Sequence, residues 1–271
     1  MDKVHENNHS IPLETRSLIS KRYKRMTKAV NGEFWDSSSE TAHSRYVGSY
    51  GRGTAIDTSD LDILMELPRE EYERYDGYKG NGQSRLLQAL KGAIQSTWSG
   101  SNIRADGQVV VVNFSDGMRF EVLPAFEQIV SWDDDPHYVY PDTNMGGNWL
   151  TTNPIAEQRE MRAKNDRTRG LLFDTCKHVR YVHTQHYSSY HLSGILIDSF
   201  VYEAIDEWRW ALDGERGSEP GAFEKHLLER YNSMTARGLV PPSLRAPGSG
   251  QQVDARYDYG ALGKVIRYIA E

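Results

Sequence analysis

Two aspartates one residue apart, Asp60 and Asp62, open a run in which Leu61, Ile63, Met65 and Leu67 recur at every second position. A period of two is the pattern of a strand with a buried face, and it places both carboxylates together on the other face. Carboxylates held side by side repel each other, so a cation between them stabilises the edge. Hard oxygen donors next to phosphate chemistry suit Mg2+ or Mn2+. Just upstream, Tyr46 and Val47 end a short strand, Gly48 lets the backbone approach a ligand closely, and Ser49 offers a hydroxyl beside amides that open a short helix. The two halves together fit a nucleoside triphosphate, with its polyphosphate on the Gly48-Ser49 turn and metal on the aspartates. Each half alone has a plainer explanation, because Gly-Ser pairs are common in turns and D-x-D on a strand edge is often a solvated surface. Their combination in one short segment is far more specific.

The surrounding elements must position that segment. Residues 13–31 carry Ile19, Tyr23, Met26 and Val30 at helical spacing, with Lys21, Arg22, Lys24, Arg25 and Lys28 around them, which predicts a helix packed on the core with its basic face in water. Asp57 reads as a loop residue, and Arg52, between Gly51 and Gly53, as a surface arginine in a flexible turn in preference to a phosphate contact. After Pro68 a polar, tyrosine-rich loop leads to Ser84, which is expected to cap a helix over 85–98 with Leu86, Leu90, Ile94 and Trp98 inward. The valine run from Gln108 to Phe114 predicts a strand buried on both faces, and Ser115-Asp116-Gly117 turns it into a return strand over 118–126. There Arg119, Glu121 and Leu123 share one face.

Residues 131–153 read as irregular, with Asp133, Asp134 and Asp135 in a solvated loop. Asn153-Pro154 supplies a cap and a first-turn proline, marking a boundary between a sheet-containing lobe, 1–153, and a helical lobe, 154–271. In the second lobe helices are expected at 155–165, at 168–186 with Leu172, Cys176, Val179 and His183 on one face, from Tyr190 onward, and around Phe223–Met234 and Leu262–Ile269. The segment from Leu239 to Gln252, rich in proline, glycine and serine, reads as a mobile connector. His178, His183, His186 and His191 lack the spacing and companions of a zinc site and read as structural or surface residues.

The chain has 271 residues, 38% hydrophobic and 26% charged, with a formal net charge of −6. That suffices for one substantial core or two small lobes, excludes disordered and fibrous classes, and argues against strong DNA binding. A single cysteine excludes an internal disulfide framework and a multi-cysteine zinc site, consistent with a cytoplasmic setting. Neither a secretory leader nor an apolar run of membrane-spanning length is expected.

The segment VGSYGRGT followed by SDLDILMELP resembles the bacterial cGAS/DncV-like nucleotidyltransferases (CD-NTases, SMODS domain) of the polymerase-beta-like nucleotidyltransferase superfamily, and the similarity runs through most of the chain. The resemblance implies an α+β fold, a polymerase-beta-like nucleotidyltransferase lobe with a mixed sheet packed against an all-helical C-terminal lobe. It implies a third metal-binding carboxylate on a neighbouring strand, for which Glu121 is the candidate where many relatives carry aspartate; Asp116, in a turn, is the rival. It also implies a role for Lys177 followed by Ser189-Tyr190-His191, which is similar to the lysine and Ser-Tyr-His of the animal cyclic GMP-AMP synthase: Lys177 and Ser189 on phosphates and Tyr190 on a base. Without it, these residues read as a surface lysine, a helix-capping serine and a partly buried tyrosine.

The expected reaction uses Asp60, Asp62 and Glu121 to hold two divalent cations, Gly48 and Ser49 to place the donor triphosphate, and releases pyrophosphate. The motif supports one transfer. The family resemblance implies a second one that closes a cyclic di- or oligonucleotide, an antiphage (CBASS) role, a downstream effector that binds the product, and an activating or regulatory protein. Two other readings fit the same carboxylates: an impaired enzyme of this fold that senses nucleotides, and a nucleotidyltransferase acting on RNA or protein.

Overall fold

The computed structural model describes residues 3–57, 60–98, 100–128, 135–235 and 243–271. Contacts divide the chain into two compact units. One holds Pro12–Gly51 and the described residues up to Ile155; the other holds the N-terminal residues up to Ile11, a short piece beginning at Arg52, and Ala156–Glu271.

The first unit is built on a mixed seven-stranded sheet. Its strands are β1 (Ser44–Tyr46), β2 (Leu61–Glu66), β3 (Asn102–Asp106), β4 (Val109–Asn113), β5 (Arg119–Gln128), β6 (His137–Asp142) and β7 (Asn148–Thr152). The main path runs β1-β2-β5-β4-β3, and β6 pairs with the end of β5 and with β7. Among the described strands only β2 and β5 run parallel, and each is apolar along most of its length. Four helices belong wholly or mainly to this unit: α1 (Leu13–Phe34), α2 (Gly48–Arg52), α3 (Arg69–Asp76) and α4 (Gly82–Gln95).

Helix α1 buries Ile19, Tyr23, Met26 and Val30 as the spacing predicts, and adds Thr27 and Asn31. Its basic face is not wholly in water. Arg22 pairs with Asp116 at 2.9 Å and lies over the Phe114 ring, and Arg25 lies over Trp98. The tyrosine-rich stretch after Pro68 is helical, because Tyr75 has a core to enter. Helix α4 starts before Ser84: the Asn81 side chain is the cap and accepts from the Ser84 amide. The region expected to be irregular before Pro154 contains the β6–β7 hairpin, held by Tyr138 and Val139 in the core. Asp133 and Asp134 lie outside the described residues.

The second unit contains α5 (Pro154–Arg167), most of which lies here, α6 (Leu171–His186), α7 (Gly194–Ala204), α8 (Ala222–Thr235), a two-stranded ribbon β8 (Leu244–Arg245) and β9 (Gln252–Val253), and α9 (Tyr259–Ala270). Its core gathers Leu172, Cys176, Val179, Val182, Phe200, Leu227, Leu262, Val265 and Ile266. Val182, not His183, completes the inward stripe of α6. The expected connector is ordered from residue 243: Leu244, Ala246, Val253 and Ala255 are buried, and a Cβ on Gly248 would overlap the Ala156 carbonyl. Residues 239–242 of that connector lie outside the described residues. No helix among the described residues is long and apolar enough to cross a membrane.

Arg52 is the largest departure from expectation. It is buried, donating to Asp198 at 2.8 Å and to Glu157 at 3.0 Å. Arg180 donates to the other Asp198 oxygen at 2.7 Å, and Thr54 adds a bond at 3.0 Å. Burial alone would raise the Asp198 carboxyl, but the guanidinium groups of Arg180 and Arg52 hold it below the usual range. Glu157, slightly less buried and with less compensation from Arg52 and Ser249, is pushed up by its burial. The signal for this network was the pair of long-range partners, which local spacing cannot reveal.

Candidate active site

The site begins with two parallel neighbours in register. Residue Leu61 of β2 pairs with Phe120 of β5, and Asp62 with Glu121. Parallel partners at the same register point the same way, so Asp62 and Glu121 share a sheet face about one strand spacing, ~4.8 Å, apart at the backbone. Phe120 and Val122 turn into the core and are fully buried, which fixes Glu121 to the opposite face. Asp60 precedes the strand and is exposed. The face that begins with Asp60 and Asp62 does not stay polar, since Leu64 on it is fully buried.

The Gly48-Ser49 turn is tied to the same place. The Val47 amide donates to the Asp62 carbonyl at 2.9 Å, and Gly51 closes the first turn of α2 by donating to the Val47 carbonyl at 2.9 Å. Gly48 has φ +57°, and a Cβ there would overlap the Asp62 carboxylate. Glycine is therefore required twice, for its backbone conformation and for the space that the carboxylate occupies. Ser49, half-buried, follows at the second position of α2.

A residue assigned no role from sequence stands among the carboxylates. Arg119, two positions before Glu121 and so on the same face, donates from Nη2 to Glu121 Oε1 and lies 3.7 Å from Asp60 Oδ2 through Nε. Its signal was the R-x-E spacing on one face of a strand. Asp116, the rival third carboxylate, is committed to Arg22 and to the turn amide of Met118. Among the described residues no three His, Cys, Asp or Glu side chains are drawn together closely enough to hold a metal ion as they stand. The donor chemistry nevertheless fits a hard divalent cation: three carboxylates on adjacent ends of β2 and β5, one of them pressed against a glycine that makes room for it.

In the second unit, Lys177 is half-buried on α6. Ser189 and Tyr190 do not open α7, as expected, but lie in an exposed turn four to five residues before Gly194. Helix α7 starts late because the Asp258 carboxylate accepts from the Ser193 amide and from His191, holding this approach in extended form. The Tyr190 ring faces Lys264 at 4.9 Å. The histidines have structural partners: His178 meets His9, His183 meets the Tyr190 carbonyl, and His186 meets Tyr268.

Sheet, turn and carboxylates together define a nucleotidyltransferase. The profile of the Second Messenger Oligonucleotide or Dinucleotide Synthetase (SMODS) domain matches residues 3–165, and the chain belongs to that family. No curated protein matches it by sequence. Among solved structures it is similar to the Elizabethkingia meningoseptica CdnE cyclic dinucleotide synthase with GTP and Apcpp, at 14% identity and TM-score 0.65 over 94% of this chain and 90% of that one. It is also similar to the Rhodothermus marinus CdnE c-UMP-AMP synthase with Apcpp and Upnpp, at 14% identity and TM-score 0.60 over 98% and 92%. A third likeness is to CdnC in the E. coli MS115-1 CdnC:HORMA-deltaN complex, at 13% identity and TM-score 0.60 over 96% and 84%. At these identities the likeness establishes the shared fold.

Proposed function

We propose that this chain joins nucleoside triphosphates, with release of pyrophosphate, into a cyclic di- or oligonucleotide that serves antiphage signalling. The observation that carries the reading is the register of β2 and β5, which sets Asp62 opposite Glu121 with Gly48 against the Asp62 carboxylate. Asp60, Asp62 and Glu121 would hold Mg2+ or Mn2+. Bound there, divalent ions supply charge neutralisation at the triphosphate and acidify an attacking ribose hydroxyl. Gly48 and Ser49 receive the donor polyphosphate through backbone amides and the Ser49 hydroxyl. Catalysis then consists of positioning and charge, so no histidine or cysteine nucleophile is needed. Glu121 in place of the aspartate of many relatives reaches one methylene farther and tunes metal preference.

Lys177 and Ser189 are proposed to contact phosphates and Tyr190 to stack on a base. The neighbours' GTP and nucleotide analogues support NTPs as substrates, and the CdnC:HORMA-deltaN complex supports a regulatory protein partner. The product would act through a separate effector. The test is incubation with all four NTPs and Mg2+, then Mn2+, with phosphatase-resistant products resolved by mass spectrometry beside Asp60→Asn and Asp62→Asn. A resistant cyclic species made by the wild type alone is expected. NTP binding without pyrophosphate release under either metal would point to the nucleotide sensor, and a nucleotidylated RNA or protein to the third reading.

A further inference from the structure

The guanidinium among the carboxylates has a consequence for metal binding. Arg119 stands immediately before Phe120 and Asp60 immediately before Leu61, and Phe120 and Leu61 are register partners, so Arg119 and Asp60 lie level across two parallel strands. Its position two residues before Glu121 puts it on that residue's face. The guanidinium thereby reaches both carboxylates, through Nη2 to Glu121 and through Nε at 3.7 Å from Asp60. On the other side of β5 its register partner is Asn113, and that of Glu121 is the buried Val111, so no acidic register partner draws it toward β4. The Nε atom is shielded from solvent and donates no hydrogen bond among the described residues.

We infer that Arg119 is the resident counterion of the carboxylate edge, which a divalent cation must displace from Asp60 and Glu121 in order to bind. The inference rests on those carboxylates being the metal site. The pairing is suited to exchange. The Arg119 and Glu121 side chains are one-third and one-quarter exposed and Asp60 is half exposed, so each ion pair is partly screened and weak enough to yield. A divalent ion brings twice the charge and prefers the same hard oxygens. Occupancy of the site is thereby set by a competition within the chain. Displaced, Arg119 remains on this face as a permanent cation with a fork suited to phosphate oxygens.

The experiment is titration of the full chain with Mn2+ alone, read by electron paramagnetic resonance. Wild type, Arg119→Met, Arg119→Lys, Asp60→Asn, Asp62→Asn and Glu121→Gln are compared. Removing the competing cation is expected to tighten Mn2+ binding by about fivefold in Arg119→Met, the scale of one to two partly exposed ion pairs. Arg119→Lys, which keeps a charge and loses the fork, falls between, and it carries the test if the methionine variant does not fold. Melting in EDTA should be lower for Arg119→Met than for wild type, with Mn2+ closing the gap. Binding that the three carboxylate variants abolish, but Arg119→Met leaves unchanged or weakens, overturns the exchange and spares the metal site. Binding that the carboxylate variants leave unchanged overturns the site, and absence of binding by every protein counts against both.

Discussion

Gly48→Ala perturbs the site by a single methyl group. The residue sits at φ +57°, where an L side chain costs about 1–2 kcal/mol. The added Cβ would also fall inside the Asp62 carboxylate, which has to move. The strain alone predicts a melting temperature lower by about 2–8 °C for a chain of this size. Displacing a reacting group by on the order of 1 Å costs roughly a hundredfold in rate, so pyrophosphate release should fall by about that factor. Gly117→Ala is the matched control. It has φ +90°, and its Cβ would meet nothing within 4 Å, so it incurs the backbone strain and leaves the carboxylates in place. Calorimetry and a coupled pyrophosphate assay on the two variants separate the effects. Wild-type turnover by Gly48→Ala, or equal loss by Gly117→Ala, would refute the assignment of Gly48 to the site.

Asp198→Asn leaves Arg52 and Arg180 facing each other without their buried carboxylate and should lower stability by about 3–5 kcal/mol in urea denaturation. The pH dependence has two opposed parts. The depressed Asp198 carboxyl contributes stability that is present above its usual 3.8 and lost as pH falls below that toward its folded value. The raised Glu157 carboxyl has the opposite sign, gaining stability as pH falls through its folded value to the usual 4.5. Urea midpoints measured from pH 7 to 3 should therefore show an acid loss that Asp198→Asn reduces and a weak acid gain above pH 4.5 that Glu157→Gln removes. Cys176 is fully buried and burial pushes its thiol well up, so a disulfide reagent should label it slowly in native buffer and stoichiometrically in urea. Rapid native labelling would contradict the packing of α6. Arg22→Ala removes the Asp116 pair and the contact with Phe114, and should cost about 1 kcal/mol without changing turnover.

Much of the site was legible because its information is local. The alternation around Asp60 and Asp62 states which face the carboxylates take, and the hydrophobic strand that follows states that the face must be kept. Gly48 and Ser49 announce a close approach by residue type alone, and the chemistry proposed for three carboxylates near that turn follows from charge. The helices with clear apolar stripes, α1, α8 and α9, were equally readable, since periodicity is carried by the chain itself. Segments rich in tyrosine, proline or glycine were not: α3, the β6–β7 hairpin and the β8–β9 ribbon take their form from apolar residues that only the folded core can receive.

Three matters were decided by tertiary structure. The parallel pairing of β2 with β5 joins residues some sixty positions apart, and only that register makes Glu121 the neighbour of Asp62. Arg52 looks like a solvated turn residue until Glu157 and Asp198 arrive from helices far along the chain, because burying a guanidinium requires partners that no local window contains. Arg119 shares a face with Glu121 in any strand, yet its standing as a counterion depends on Asp60 lying level with it across the sheet. Residue type and spacing determine which chemistry a chain can perform, since they act over one or two turns of backbone. Which charges meet, and which must give way to a ligand, depends on contacts that exist only once distant segments have packed.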